Sequence, residues 1–201
     1  MRLALDDTPV VVADDEHGAI TYHPGAIDAT TAQAWFEQLR AGVHWQAERR
    51  RMYDRDVDVP RLTAHLALDS IRDAAPSIAG TRGIAQRIVG CTFNAVGLNL
   101  YRDGNDSVAL HNDKLYRLET GTPIALVSLG AARRMTIRTK QAPRRSLHVE
   151  LESGSVLVMT YATQLHYDHG IAKTRVPVAA RISLAFRRLR ASALENVGAW
   201  R

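Results

Sequence analysis

Hydrophobic and polar positions change their rhythm near Phe93. Downstream, apolar residues recur in short turn-bounded runs: AVGLNLY (95–101), PIALVSLG (123–130), RMTIRT (134–139), SLHVEL (146–151), SVLVMT (155–160) and RISLAF (181–186). Consecutive short strands of this kind predict a sandwich or barrel. Upstream, the period is helical in two places. Over 31–43, Phe36, Leu39 and Val43 recur at helical spacing, and Thr30 with Gln33 has capping-box spacing. Within 76–89, Pro76 suits a first turn, Ile78, Ala85 and Ile88 form a loose stripe, and Gly90 suits the stop. Gly80 and Gly83 weaken that second helix. VVVA (10–13) reads as an edge strand, and the charged stretch 45–61 as a loop or short hairpin. The order is helices first, then a β body. The class is mainly β with N-terminal helices (α+β), and the natural architecture is a jelly-roll double sheet.

The chain has 201 residues, 46% hydrophobic and 23% charged, which excludes a disordered tail, a collagen-like repeat or a disulfide scaffold. It is expected to form a single domain over 1–201, monomeric, with no internal repeat. Cys91 is the only cysteine, so no internal disulfide can form, in keeping with a reducing cytoplasm. Asp6 and Asp7 come too early for a signal peptide, and no apolar run approaches the roughly 20 residues of a membrane span. The net charge of +5 favours a polyanionic partner. Between Glu119 and Glu150 there is no acid but there are Arg133, Arg134, Arg138, Lys140, Arg144 and Arg145; Arg49, Arg50, Arg51 and Arg55 form a second cluster. Such groups bind phosphates, although for any single arginine a solvated surface is the commoner role.

Candidate chemistry begins at His111-Asn112-Asp113. In an extended segment, residues i and i+2 share a face, so an imidazole and a carboxylate converge. Two histidines plus one carboxylate on one side of an octahedron hold oxygen-activating non-haem iron. A third ligand must come from elsewhere, and His166 and His169 both lie in TQLHYDHG, which by residue type alone reads as a polar surface loop. In RISLAFR, Arg181, Ser183, Ala185 and Arg187 share one face, while Ile182, Leu184 and Phe186 share the other. Two inward arginines separated by small residues suit a small dianion, bound bidentately; arginines in water on a half-buried strand give the same pattern. In GLNLY, Asn99 and Tyr101 share a face and could reach carboxylate oxygens, or simply belong to an amphipathic strand.

Together these residues resemble the AlkB family of Fe(II)- and 2-oxoglutarate-dependent dioxygenases. FNAVGLNLYRDGNDSVALHND resembles the family's N-x-Y-x-x-G and H-x-D segment. PIALVSLGAARRMTIR resembles its P-I-x-x-x-S-L-G stretch, GSVLVM with TQLHYDH the strand and loop carrying the distal histidine, and RISLAFR its R-x-x-x-x-x-R signature. The resemblance runs from about Pro60 to Arg187 and implies a double-stranded β-helix over 91–190, preceded by helices and a nucleotide-recognition lid within 1–90. It implies His111, Asp113 and His169 as iron ligands and Arg181 against the distal carboxylate of 2-oxoglutarate, with Arg187, Asn99 and Tyr101 completing that subsite. Met52, Tyr53, Arg61, Leu115 and Arg138 are the implied substrate contacts. The implied reaction consumes O₂ and 2-oxoglutarate, releases succinate, CO₂ and an aldehyde, and restores an N-alkylated base in DNA, with RNA as a second polymer. A base inside a duplex cannot reach such a pocket and must be flipped out.

Two departures bear on the substrate. Lys114, Leu115 and Tyr116 follow H-N-D where family repair enzymes commonly carry acids, and Leu115 cannot accept a hydrogen bond from an exocyclic amine. Ala172-Lys173 replaces a Pro-Lys. An alternative therefore keeps the cofactors and changes the substrate to a protein side chain or small metabolite. A third reading, a non-catalytic nucleic-acid-binding module on the same barrel, requires that the protein fail to bind Fe(II) or Mn(II).

Overall fold

The structure, a computed structural model, describes residues 8–52, 54–68, 75–195 and 197. Its strands are β1 (Val10–Asp15), β2 (Gly18–His23), β3 (Gln46–Met52), β4 (Arg55–Ala67), β5 (Ala95–Tyr101), β6 (Val108–His111), β7 (Ile124–Gly130), β8 (Arg133–Thr139), β9 (Ser146–Leu151), β10 (Val156–Met159), β11 (Tyr167–Ile171) and β12 (Arg181–Arg187). Its helices are α1 (Ala29–Gly42), α2 (Pro76–Val89) and the single turns α3 (Thr163–His166) and α4 (Ala191–Leu194). An eight-stranded sheet runs β1-β2-β10-β7-β12-β5-β4-β3, and a four-stranded sheet β6-β11-β8-β9 faces it, all pairs antiparallel. This is the jelly-roll expected from the strand-rich second half. No helix among the described residues is long and apolar enough to cross a membrane.

The period of two explains the layers. On β5 and β12, Val96, Leu98, Leu100, Ile182, Leu184 and Phe186 pack outward against Phe36 and Leu39 of α1 and Ile78 and Ala85 of α2. Each such large apolar side chain contributes roughly 2 kcal/mol by leaving water. The alternate positions face inward, between the sheets. There Tyr101, Leu126, Met135, Ile137, Leu151, Leu157 and Ile171 form a second apolar core. At one end of that space the inward positions turn polar, with Thr63, Ser128, Ser183, Arg181 and His169 all buried. That polar end is the site.

Several local expectations shift. The α1 cap is Asp28, not Thr30: its Oδ1 accepts Thr31 N–H at 2.9 Å, while Gln33 reaches sideways to Glu37. A carboxylate there also complements the helix dipole. Helix α2 occupies the expected span, with Gly90 in the left-handed conformation at its end (φ 75°). Gly80 is explained by packing, because a β-carbon there would run into the Trp35 ring of α1. The 45–61 stretch is a hairpin, but β4 continues to Ala67 and pairs with β5. The first 90 residues thus supply strands β1–β4 as well as helices, so helices do not simply precede a β body. TQLHYDHG is no surface loop: after α3, β11 pairs with β6 on one side and β8 on the other.

Candidate metal and 2-oxoglutarate site

Strand register brings the first two groups together. His169 on β11 lies directly opposite His111 on β6, and their ring centroids are 4.6 Å apart. Asp113 follows two residues after His111. One ligand atom from each of the three lies within 4.8 Å of the others, a spacing that suits one cation. His111 Nδ1 sits 2.9 Å from the Ala109 carbonyl oxygen, which can only accept, so Nδ1 is the donor there and Nε2 is the ring nitrogen left for a cation. Burial pushes His169 down to about 4, and the neighbouring His111 adds to this, so the ring is neutral at pH 7 and able to ligate. His166 is elsewhere: its ring stacks on His17 at 4.4 Å.

Two residues hold Asp113. Arg187 on β12 donates from Nε to Oδ2 at 2.7 Å and from Nη2 to Oδ1 at 3.0 Å. Burial pushes the Asp113 carboxyl up, but this ion pair more than offsets it and holds the group down at about 2. Gln164 in α3, fully buried, accepts the Asp113 backbone N–H at 2.9 Å, donates to Thr163 Oγ1, and its own carbonyl receives Lys140 Nζ at 2.7 Å. Sequence reasoning missed Gln164, because nothing in its type or spacing marks it.

Arg181 lies deeper, with no exposed surface. Its Nη2 donates to Ser128 Oγ at 2.8 Å, and its guanidinium stands 5.2 Å from the Tyr101 ring centroid. Its Nε and Nη1 are buried and have no hydrogen-bond partner among the described residues. Burial lowers Arg181 to about 10, so it remains cationic at neutral pH. A buried cation with two unspent donors is costly unless an anion arrives. Asn99 is part-buried beside it, with Oδ1 accepting from Arg61 Nε at 2.7 Å and Nδ2 facing Ser183 Oγ at 3.5 Å. Ser128 was missed, yet its parity with Ile124 and Leu126 in IALVSLG could have found it.

His111, Asp113, His169, Arg181, Arg187, Asn99 and Tyr101 line one cavity of about 1220 Å³ that also takes in Arg61, His65 and Lys114. Asp113 is the only acid among its described lining residues. Leu115 does not line it; it packs against the inter-sheet core. Arg138 on β8 is half-buried, opposite Asp168 and Ser146, and is also outside the lining. Met52, as a side chain, and Tyr53 lie outside the described residues, as do the side chains of Arg50, Arg51 and Arg55. Arg133 leaves the surface cluster altogether: it is buried, donates to the carbonyls of Asp103, Asp106 and Ala172, and stands 5.7 Å from the Tyr101 ring centroid. Arg134 is exposed and paired with Glu150.

The comparisons with known proteins agree with this geometry. A family model described as the 2OG-Fe(II) oxygenase superfamily matches residues 19–187. The chain belongs to that superfamily. The "DNA oxidative demethylase ALKBH2" of Bos taurus is 36% identical over 121 residues, covering 57% of this chain and 44% of the relative. The "Alpha-ketoglutarate-dependent dioxygenase alkB homolog 3" of Homo sapiens is 28% identical over 186 residues, covering 84% of this chain and 65% of the relative. The chain thus spans about half the length of the first and under two thirds of the second. Among solved structures, OsALKBH1 shares the fold at a TM-score of 0.58 with 15% identity, over 84% of this chain and 97% of that one. Fe(II) and 2-oxoglutarate are the cofactor and cosubstrate of the superfamily.

Proposed function

We propose that this protein is an oxidative dealkylase of N-alkylated nucleic-acid bases, DNA foremost, with His111, Asp113 and His169 holding iron(II) and Arg181 anchoring 2-oxoglutarate. The observation that carries the reading is the pairing of a three-ligand cluster with the unpartnered donors of buried Arg181 in one cavity. The donor set suits iron(II), and a carboxylate would bring acceptor oxygens to the unpartnered donors of Arg181.

Bound iron(II) with 2-oxoglutarate and O₂ supplies the oxidation: an N-methyl group leaves as formaldehyde, and the co-products are succinate and CO₂. The chain's own groups do the rest. Arg181 fixes the distal carboxylate, with Ser128 and Tyr101 fixing Arg181. Asn99 and Arg61 form the polar wall beside it, and Arg187 keeps Asp113 ionised and oriented. The cavity exceeds what a five-carbon diacid fills and has room for a base delivered out of its stack. Lys114 and Lys173 at its wall, with exposed Arg144 and Arg145 on the β8–β9 hairpin, suit a phosphate backbone. RNA as a second polymer, a monomeric state, a cytoplasmic setting and a lid within 1–90 complete the reading.

The test is 2-oxoglutarate turnover across a panel of strands carrying 1-methyladenine or 3-methylcytosine. Formaldehyde and succinate in equal amounts are expected. One observation favours a second reading, oxidation of a small metabolite or protein side chain: no carboxylate besides Asp113 meets the substrate in the described cavity wall. Succinate production indifferent to every strand but stimulated by a metabolite would establish it instead.

A further inference from the structure

The turn that follows Asp113 carries an aromatic ring that no contact explains. Residues Leu115–Arg117 form a single 3₁₀ turn. Leu115 points into the inter-sheet core, and Lys114, Arg117 and Leu118 line the cavity. Tyr116, between them, is 69% exposed, the only aromatic among the large exposed hydrophobics, and it has no hydrogen bond or ring contact among the described residues. The turn beneath it is fixed: Arg117 N–H bonds the Lys114 carbonyl at 2.9 Å, Leu118 N–H bonds the Leu115 carbonyl at 3.1 Å, and Arg190 N–H bonds the Arg117 carbonyl at 2.9 Å. The molecule therefore holds this ring in water on a turn fixed by backbone hydrogen bonds, between residues that line the cavity. Exposed Lys114 stands next to it in the chain, and exposed Lys173 shares the cavity wall with Lys114.

An aromatic face set among cations, between residues that line a base-sized cavity, has the chemistry of a single-strand platform. Bases stack on such rings whatever their identity, and lysine and arginine track the phosphates. From this juxtaposition we propose that Tyr116 stacks on a base adjacent to the target nucleotide of a single-stranded substrate, with Lys114 and Arg117 beside it on the strand's backbone. This deepens the nucleic-acid reading above and rests on it. Tyr116 sits outside the cavity lining, so its contact is with the neighbour and not with the alkylated base.

The experiment measures binding of the full chain, loaded with Mn(II) and 2-oxoglutarate, to fluorescein-labelled single strands. Tyr116→Ala should weaken binding by about tenfold, equally for alkylated and unmodified strands. Tyr116→Trp should restore it, and its indole emission should be quenched on saturation. Strands with an abasic residue on either side of the target complete the test. On one of the two sides the abasic residue should cost the wild type the same factor and cost Tyr116→Ala nothing more. Unchanged affinity in Tyr116→Ala, a loss confined to alkylated strands, or additive losses on both sides would overturn the assignment while leaving the dealkylase reading intact. A wild type that binds no strand at all would overturn both.

Discussion

Arg187 forks onto Asp113 across the gap between the two sheets: one guanidinium on β12 engages both carboxylate oxygens of the H-x-D turn, at 2.7 and 3.0 Å. The strand that carries Arg181 therefore also fixes Asp113, the carboxylate of the proposed metal site. Each carboxylate oxygen spends one lone pair on the fork and keeps another for a cation. Arg187→Lys replaces a planar fork by a point charge. Its Mn(II) affinity, measured by titration, should fall by about 10- to 100-fold, the usual cost of losing a group that orients a ligand. Affinity within about twofold of wild type would show that the fork does not orient Asp113.

The two histidines of TQLHYDHG separate cleanly. His169 faces His111, whereas His166 stacks on His17. His169→Ala should abolish Mn(II) binding, and His166→Ala should leave it unchanged. Comparable affinity in His169→Ala would remove it from the ligand set.

Gln164 offers a subtler lever. Gln164→Leu keeps the volume but strands the Asp113 N–H, which costs about 1–3 kcal/mol when buried. Metal affinity should drop by about tenfold, whereas Gln164→Glu, which still accepts, should recover most of it. A Gln164→Leu variant that melts earlier but binds Mn(II) normally would reduce Gln164 to a packing residue.

Acid should act through Asp106. Burial pushes its carboxyl up, but the fork from Arg102 Nε and Nη2, each at 2.8 Å, with Arg102 N–H, pulls it below the ordinary carboxylate value. A group lowered on folding stabilises above its unfolded pKa and loses that contribution as pH falls through the folded one. The Asp106 carbonyl also accepts from buried Arg133. Asp106→Asn should melt a few degrees lower at neutral pH, from a loss of about 1–2 kcal/mol, and the gap should close on acidification below the normal carboxylate range. A gap that persists unchanged at the lowest pH would assign the loss to packing.

Much of this was legible in the chain. The parity of GLNLY placed Asn99 and Tyr101 on one face of their strand and that of RISLAFR placed Arg181 and Arg187 on one face of theirs, and all four line the cavity. What escaped did so for physical reasons. Strand β11 alternates Tyr167, His169 and Ile171 on the inner face, but its polar middle hides the pattern from any count of apolar residues. Arg133 looked like one more surface cation, although its parity with Met135 and Ile137 sends it inward. Asp28 caps α1 ahead of the expected start because local carboxylate geometry won over the Thr30–Gln33 spacing. Gln164 depends on a contact spanning 51 residues, which no local pattern encodes.

Anaerobic titration of the wild type and Arg181→Ala with 2-oxoglutarate in the presence of Fe(II), followed by the visible charge-transfer band of the ternary complex, tests the site most directly. Wild type should bind one equivalent, Arg181→Ala should need far more cosubstrate, and Arg134→Ala, altered on the surface, should match wild type. No band in the wild type, or equal 2-oxoglutarate affinity with and without the Arg181 guanidinium, would contradict the account.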